Sequence, residues 1–231
     1  MKRTAAAILA LLQTAALYAQ AEPKQKAVPA KPAFPTATPP PALSQERETA
    51  QLLYETAVKE FAAGSLDAAQ AGFQKVLALS PDNPPALINL ALIAQRQRRP
   101  DDADKLLRKV IQKDMSNATA WLLLGIGAYE RNELDAALAH LAQAVLYAPQ
   151  DARAHQYLGA TLGRRGWYSA GEDELRRALE LDPKSADAHY NLAVIYMERV
   201  PAAVELARRH YFRALDLGAP PDEKLAGRIG K

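Results

Sequence analysis

Small residues recur along this chain every 34 positions: Ala57, Ala91, Gly125, Gly159 and Ala193 each stand one period after the last. A repeat of that length is a helix, a turn and a second helix, a unit that cannot bury its own apolar face and must stack on a neighbour. A second series follows twelve positions behind, at Ala69, Ala103, Ala137 and Gly171. One small residue on each helix of a pair lets the two backbones approach closely where they cross. The spacing therefore predicts an all-α chain of stacked hairpins.

Other columns keep the same period. Leu90, Leu124, Leu158 and Leu192 precede the small residue and supply core volume, with Thr56 in that place in the first copy. The second helix carries Phe73, Leu107, Leu141 and Leu175, then Val76, Val110, Ala144 and Ala178 three residues on. Pro81, Pro149 and Pro183 mark the connection into the next copy, where proline cannot continue the helix it follows; Met115 replaces it once. Asp67, Asp101, Asp102 and Asp135 mark the starts of second helices, where negative charge suits the helix dipole.

With Trp121, Leu124, Gly125, Tyr129, Ala137, Leu141, Ala144 and Pro149, the third copy most fully resembles the tetratricopeptide repeat family. The copies run over about residues 50–83, 84–117, 118–151, 152–185 and 186–219. The resemblance implies a right-handed superhelical solenoid of about five helix-turn-helix repeats, a fold that serves as a binding surface. The fifth copy departs from the pattern. Ala207, Tyr211 and Ala214 fit its second helix only if two residues are inserted near Val200 and Pro201, which predicts a distorted turn with Pro201 near the start of that helix. Residues 220–231 read as a partial helix capping the last hairpin.

The amino-terminal residues read as an address. Lys2 and Arg3 precede an apolar stretch from Ala5 to Leu12 that continues less purely to Ala19, and Ala19-Gln20-Ala21 offers small residues for cleavage near Ala21. About 15 apolar residues fall short of the roughly 20 that span a bilayer. The expectation is a bacterial protein exported to the periplasm or secreted, with residues 1–21 removed and no membrane span afterwards. Residues 22–43 contain seven prolines and read as an extended linker, acting as a spacer or as a ligand for a proline-recognising domain.

Several function classes fall away. Cysteine is absent, which removes disulfides, thiolate catalysis and cysteine metal sites. Without Lys2 and Arg3 the chain carries 27 basic and 26 acidic side chains, so no general attraction to nucleic acid or anionic lipid is expected. Arg96, Arg98 and Arg99 and the later arginine pairs read as solvated helix ends. His155 and His189 occupy the place of Trp121, while His140 and His210 precede the large apolar residue of the second helix. That arrangement suits packing and offers no shared metal, and no phosphate loop or His-Glu-x-x-His pattern is present. The expectation is a chain that is not an enzyme, with no cofactor and no metal.

The first helices carry more apolar surface than their own packing needs. Beside the stripe facing the paired helix lies a second, with Ile88 and Leu92 in the second copy, Leu122, Ile126 and Tyr129 in the third, and Tyr190, Val194 and Met197 in the fifth. In the family resembled, this stripe lines the concave face, and an apolar groove marks a partner site. The fourth copy offers only Gln156, Ala160 and Gly163 there, a recess with Tyr157 nearby. Asn89 and Asn191 match the family position where asparagine often bonds a peptide backbone; Ile88 and Leu92 replace the polar residues of a carboxylate clamp. The reading is a protein-protein interaction scaffold of the cell envelope holding a peptide or helix of a partner. The alternative is an assembly protein whose groove is filled by a second copy or by its own amino-terminal segment. On this reading Ile126→Lys should leave melting nearly unchanged and weaken partner binding.

Overall fold

The computed structural model describes residues 41–230, with side chains from residue 45. The expected signal (1–21) and most of the linker lie outside the described residues. The chain divides into two compact units, residues 1–113 and 114–231. In the first, the described helices are α1 (Pro41–Ala62), α2 (Leu66–Leu79), α3 (Pro84–Arg96) and α4 (Pro100–Lys113). The second contains α5 (Ala118–Glu130), α6 (Leu134–Tyr147), α7 (Ala152–Arg164), α8 (Tyr168–Leu181), α9 (Ala186–Glu198), α10 (Val204–Asp216) and α11 (Glu223–Ile229). In the first unit α1 packs on α2 and α3 on α4, with α2 against α3; in the second the hairpins are α5–α6, α7–α8 and α9–α10, each packed on the next. No strand is present among the described residues.

Each first helix from α3 onward begins with a polar side chain that satisfies one of its otherwise unpaired N–H groups. Asn83 accepts from the Ala86 N–H at 3.0 Å, Asn117 from Ala120 at 3.0 Å, Asp151 from Arg153 at 2.9 Å and Ser185 from Ala188 at 3.2 Å, one cap per period. Second helices start differently. The chain leaves each first helix through a residue with positive φ, at Gly64, Arg98, Asn132 and Gly166, again one per period. The next N–H then reaches back to close the turn, from Ser65 to Glu60, Arg99 to Ala94, Glu133 to Ala128 and Trp167 to Leu162, all at 2.8–2.9 Å.

The period puts Val200 at the next left-handed position, and a β-branched residue is poorly suited to that backbone. Here the chain departs from the others: Val200 is 96% exposed, the Val200–Pro201 bond is cis, and the turn is two residues longer. The closing bond survives, running from Ala203 N–H to Tyr196 O at 2.8 Å, the same two columns that Trp167 and Leu162 occupy one period earlier. Pro201 itself lies inside the turn, two residues ahead of the helix cap Ala203, rather than at the start of α10.

The core follows the columns. Phe73, Leu107, Leu141, Leu175 and Tyr211 are buried, as are Leu90, Leu124, Leu158 and Leu192 on the first helices. Thr56 is exposed and turns its hydroxyl to the Leu52 carbonyl. The small residues stand where helices touch. A methyl on Gly125 would lie 2.5 Å from Leu141 Cγ, and one on Gly159 would lie 2.7 Å from Leu175 Cγ and 2.9 Å from the Gly171 carbonyl oxygen. The first hairpin uses Gly72 for the same purpose, its missing methyl replaced by Ala57 Cβ.

The C-terminal residues close the last hairpin. Leu225 and Ile229 of α11 join the apolar cluster around Leu192, Tyr196 and Tyr211. Asp222 caps α11 by accepting from Leu225 N–H at 3.0 Å, while the Tyr211 hydroxyl accepts from the Asp222 N–H at 2.9 Å and donates to its carbonyl at 3.1 Å.

Helix contact through backbone atoms leaves less room for adjustment than contact through side chains. Gly159→Ala should therefore destabilise by roughly 1–3 kcal/mol in denaturant unfolding. Gly125→Ala, whose methyl meets a leucine able to turn aside, should cost less. The reverse ranking would show that the α7–α8 crossing is not held by its backbones.

Candidate functional site

The second stripe divides into buried and open members. In the first unit Ile88, Asn89 and Leu92 are half-buried on α3. Asn89 is already committed, donating from Nδ2 to the Tyr54 hydroxyl at 3.0 Å and to the Pro85 carbonyl at 2.9 Å. Arg96 lies over the Phe61 ring, 4.2 Å from its centroid. In the second unit Leu122, Ile126 and Met197 are buried, at 3%, 8% and 8% exposure, which corrects their reading as open groove walls. The Ile126→Lys expectation changes with it: a lysine there would be driven into packed surroundings and should destabilise the fold. Tyr129, Tyr157, Tyr190, Asn191 and Val194 are half-buried and remain available.

Those open side chains are held in place. Tyr129 and Tyr157 meet edge to face with centroids 5.8 Å apart. Arg164 stacks over the Tyr129 ring, 4.6 Å from its centroid, and donates to the Tyr129 carbonyl at 3.2 Å and to Asn132 Oδ1 at 2.6 Å. Tyr190 donates its hydroxyl to Asp222 Oδ2 at 2.6 Å; burial, and then the neighbouring carboxylate, push its pKa up to about 12. Burial likewise raises Tyr157. Tyr157 and Tyr190 thus present neutral aromatic surface at ordinary pH.

Between α7 and α9 the small residues open a recess of about 300 Å³. Ala160 and Gly163 line it from α7, Tyr168 from the start of α8, and Asn191, Val194, Ile195 and Glu198 from α9, with Arg164 alongside. The missing side chain at Gly163, one period after Tyr129 and one before Met197, made this recess legible. Tyr168 and Glu198 were not, because they stand outside the apolar stripe. Asn191 has no hydrogen-bond partner among the described residues, unlike Asn89 in the same column. A larger opening of about 570 Å³ lies at the turns around Gly166 and Val200. Its charged residues Glu172 and Arg199 pair with each other at 3.6 Å.

The histidine columns are also more than filling. Trp121 donates its ring N–H to the Met115 carbonyl at 2.8 Å, and His155 Nε2 stands 3.1 Å from the Pro149 carbonyl one period later. Across the hairpin each faces the other column: Trp121 lies against His140 with centroids 5.5 Å apart, and His155 Nδ1 meets Glu174 at 2.6 Å. Two acceptors around one imidazole are both satisfied only by the charged ring. Burial lowers the His155 pKa, but the Glu174 and Pro149 hydrogen bonds outweigh it and the net shift is upward. Sequence reasoning treated these columns separately because nothing in a period says which residues meet across a hairpin. Groups of three or more side chains able to hold a metal are absent among the described residues, and no helix there is long and apolar enough to cross a membrane.

A family description given as tetratricopeptide repeat matches residues 60–108 and 94–160, and one given as TPR repeat matches residues 173–199. No curated protein matches the chain. Among solved structures, PilF of Pseudomonas aeruginosa is similar with a TM-score of 0.71 at 21% identity, covering 80% of this chain and 85% of its own. YrrB, described as a TPR protein with an unusual peptide-binding site, has a TM-score of 0.62 at 24% identity, covering 82% and 95%. A crystal structure of MamA gives 0.62 at 23%, covering 78% and 95%. At these identities the likeness establishes the fold.

A histidine whose folded pKa is raised stabilises the fold below its unfolded value near 6.5 and loses that contribution as pH rises through the folded pKa. Thermal melting above pH 6.5 should therefore fall with rising pH, and Glu174→Gln should flatten that dependence. An unchanged slope in the variant would mean that His155 is not charged by Glu174.

Proposed function

Because the chain belongs to the tetratricopeptide repeat family, we propose that it is a non-enzymatic interaction scaffold that holds a peptide segment of a protein partner on the first-helix face of its second unit. The observation that carries the reading is the recess between α7 and α9. It combines small residues that leave room, Val194 as an apolar wall, and an asparagine amide with no internal partner. An aliphatic side chain entering beside Ala160 and Gly163 would bring its own backbone within reach of Asn191, which can both donate and accept. Tyr129 and Tyr157 extend the surface with aromatic rings already ordered by Arg164, so little side-chain freedom is lost on binding. YrrB, a structural neighbour described as having a peptide-binding site, is consistent with this use of the fold.

The place of action follows from residues 1–21. A charged start, an apolar stretch and small residues before Glu22 support export of a bacterial envelope protein, with residues 22–43 spacing the helices from the site of export. Terminal sequencing of the protein recovered from cells should begin near Glu22; recovery with Met1 intact would remove the envelope assignment.

The binding surface is tested by capture from envelope extract. Val194→Lys and Asn191→Ala should melt within about 1 kcal/mol of the parent, since both positions are half-buried, yet lose the captured partner. Capture undiminished in both variants would place binding on another face. A mature chain that sediments as a dimer and captures nothing would favour filling of the face by a second copy.

A further inference from the structure

The last hairpin holds a histidine pair that the recess does not use. His189 on α9 and His210 on α10 face each other Nδ1 to Nδ1 at 2.9 Å, with ring centroids 5.1 Å apart. Such a contact is a hydrogen bond only while one nitrogen carries a proton and the other a lone pair. His189 also bonds the backbone of Pro183, as His155 bonds Pro149 one period earlier. With its Nε2–H donated there, neutral His189 presents Nδ1 as the acceptor and His210 supplies the proton. One added proton can still be held between the rings as N–H···N, but with both rings protonated two N–H groups point at each other.

The surroundings offer such a charge no relief. Arg176 approaches from α8, and Arg209 and Arg213 from α10. Tyr196 of α9 lies against the His210 ring with centroids 5.6 Å apart. The carboxylate acting on His210 is Glu172 of α8, and it is already taken by Arg176 at 2.6 Å, Arg199 at 3.6 Å and the Tyr196 hydroxyl at 3.0 Å. Burial, then the His189, Arg209 and Arg176 charges, hold His210 down to about 4; burial and Arg213 lower His189.

The helix carrying His210 also anchors the C-terminal cap. Tyr211, the next residue, holds the Asp222 backbone through its hydroxyl, and Asp222 in turn accepts from Tyr190 at 2.6 Å. We propose that the His189–His210 pair is an acid-sensitive latch: once both rings have taken up a proton, their hydrogen bond is replaced by a contact between like charges that releases α10 and α11 from α9. The preceding hairpin has the opposite chemistry, since its His155–Glu174 pair is strengthened by a proton, so the response is confined to the C-terminal end. Loss of the Tyr190–Asp222 contact would also free a side chain of the binding face; that consequence rests on the proposed function above, whereas the latch does not.

The sign follows from linkage. Histidines whose folded pKa is depressed stabilise the fold fully above 6.5, and that contribution is lost as pH falls towards 4. Hydrogen exchange on the whole chain, corrected for the intrinsic pH dependence of amide exchange, should show opening of residues 204–229 rising below pH 6.5 by up to about tenfold per pH unit for each proton taken up, with α5 and α6 unaffected. His210→Glu copies the His155–Glu174 arrangement and should abolish or reverse the acid response. Protection of residues 204–229 that ignores pH, or an acid response retained in His210→Glu, would overturn the latch. Should that variant not fold, histidine titration by NMR on the parent decides: a His210 charged at pH 6 in a chain with unchanged exchange is equally fatal. None of these readouts involves a partner, so they stand apart from the test of the binding face.

Discussion

At the α7–α8 crossing a methyl on Gly159 would sit 2.9 Å from the carbonyl oxygen of Gly171, and a methyl on Gly171 would sit 2.9 Å from that of Gly159. Each helix thus occupies the space a side chain would need on the other, and the hairpin exists at this separation because neither has one. Alanine holds the same column at Ala57, Ala91 and Ala193, all buried. Once the crossing is fixed, the large residues fall on either side of it: Leu158 on one helix and Leu175 on the other are both fully buried. Packing at interior density leaves few alternatives to that arrangement.

The turns carry the same constraint into the backbone. Four left-handed residues, each followed by an N–H that reaches five residues back, end the first helices of the first four hairpins. The fifth lacks the left-handed residue and still makes the closing bond from Ala203 to Tyr196, over two more residues. The insertion is taken up in the turn because α9 and α10 must meet at Ala193 and Ala207 in the register that the other hairpins use. It also moves the residue facing His189 to position 210, two further along than the Glu174 that faces His155.

The candidate site lies where the repeat is broken by small or unpaired groups. Gly163 stands where neighbouring copies place Tyr129 and Met197, and the space it leaves is the recess. Asn89 and Asn191 occupy one column, yet Asn89 bonds Tyr54 and Asn191 bonds no described residue. The difference lies one copy upstream, where Tyr54 offers a hydroxyl and the corresponding residue on α7 is Gln156, engaged with Ser185 and Asp187. Identical residues in identical register thus take different roles according to their neighbours.

The period, the two series of small residues and the buried leucine columns were legible in the sequence, because helical spacing fixes which residues share a face whatever lies opposite. The depth to which the second stripe is buried was not: Ile126 and Val194 share one column, and the first is closed while the second is open. Nor was the meeting of the two histidine columns across a hairpin. Which side chains touch depends on the distance and rotation between helices, and these are set by the volumes of residues far away in sequence. For that reason His155 takes a proton from its partnership with Glu174, and His189, one period on and facing His210, resists one.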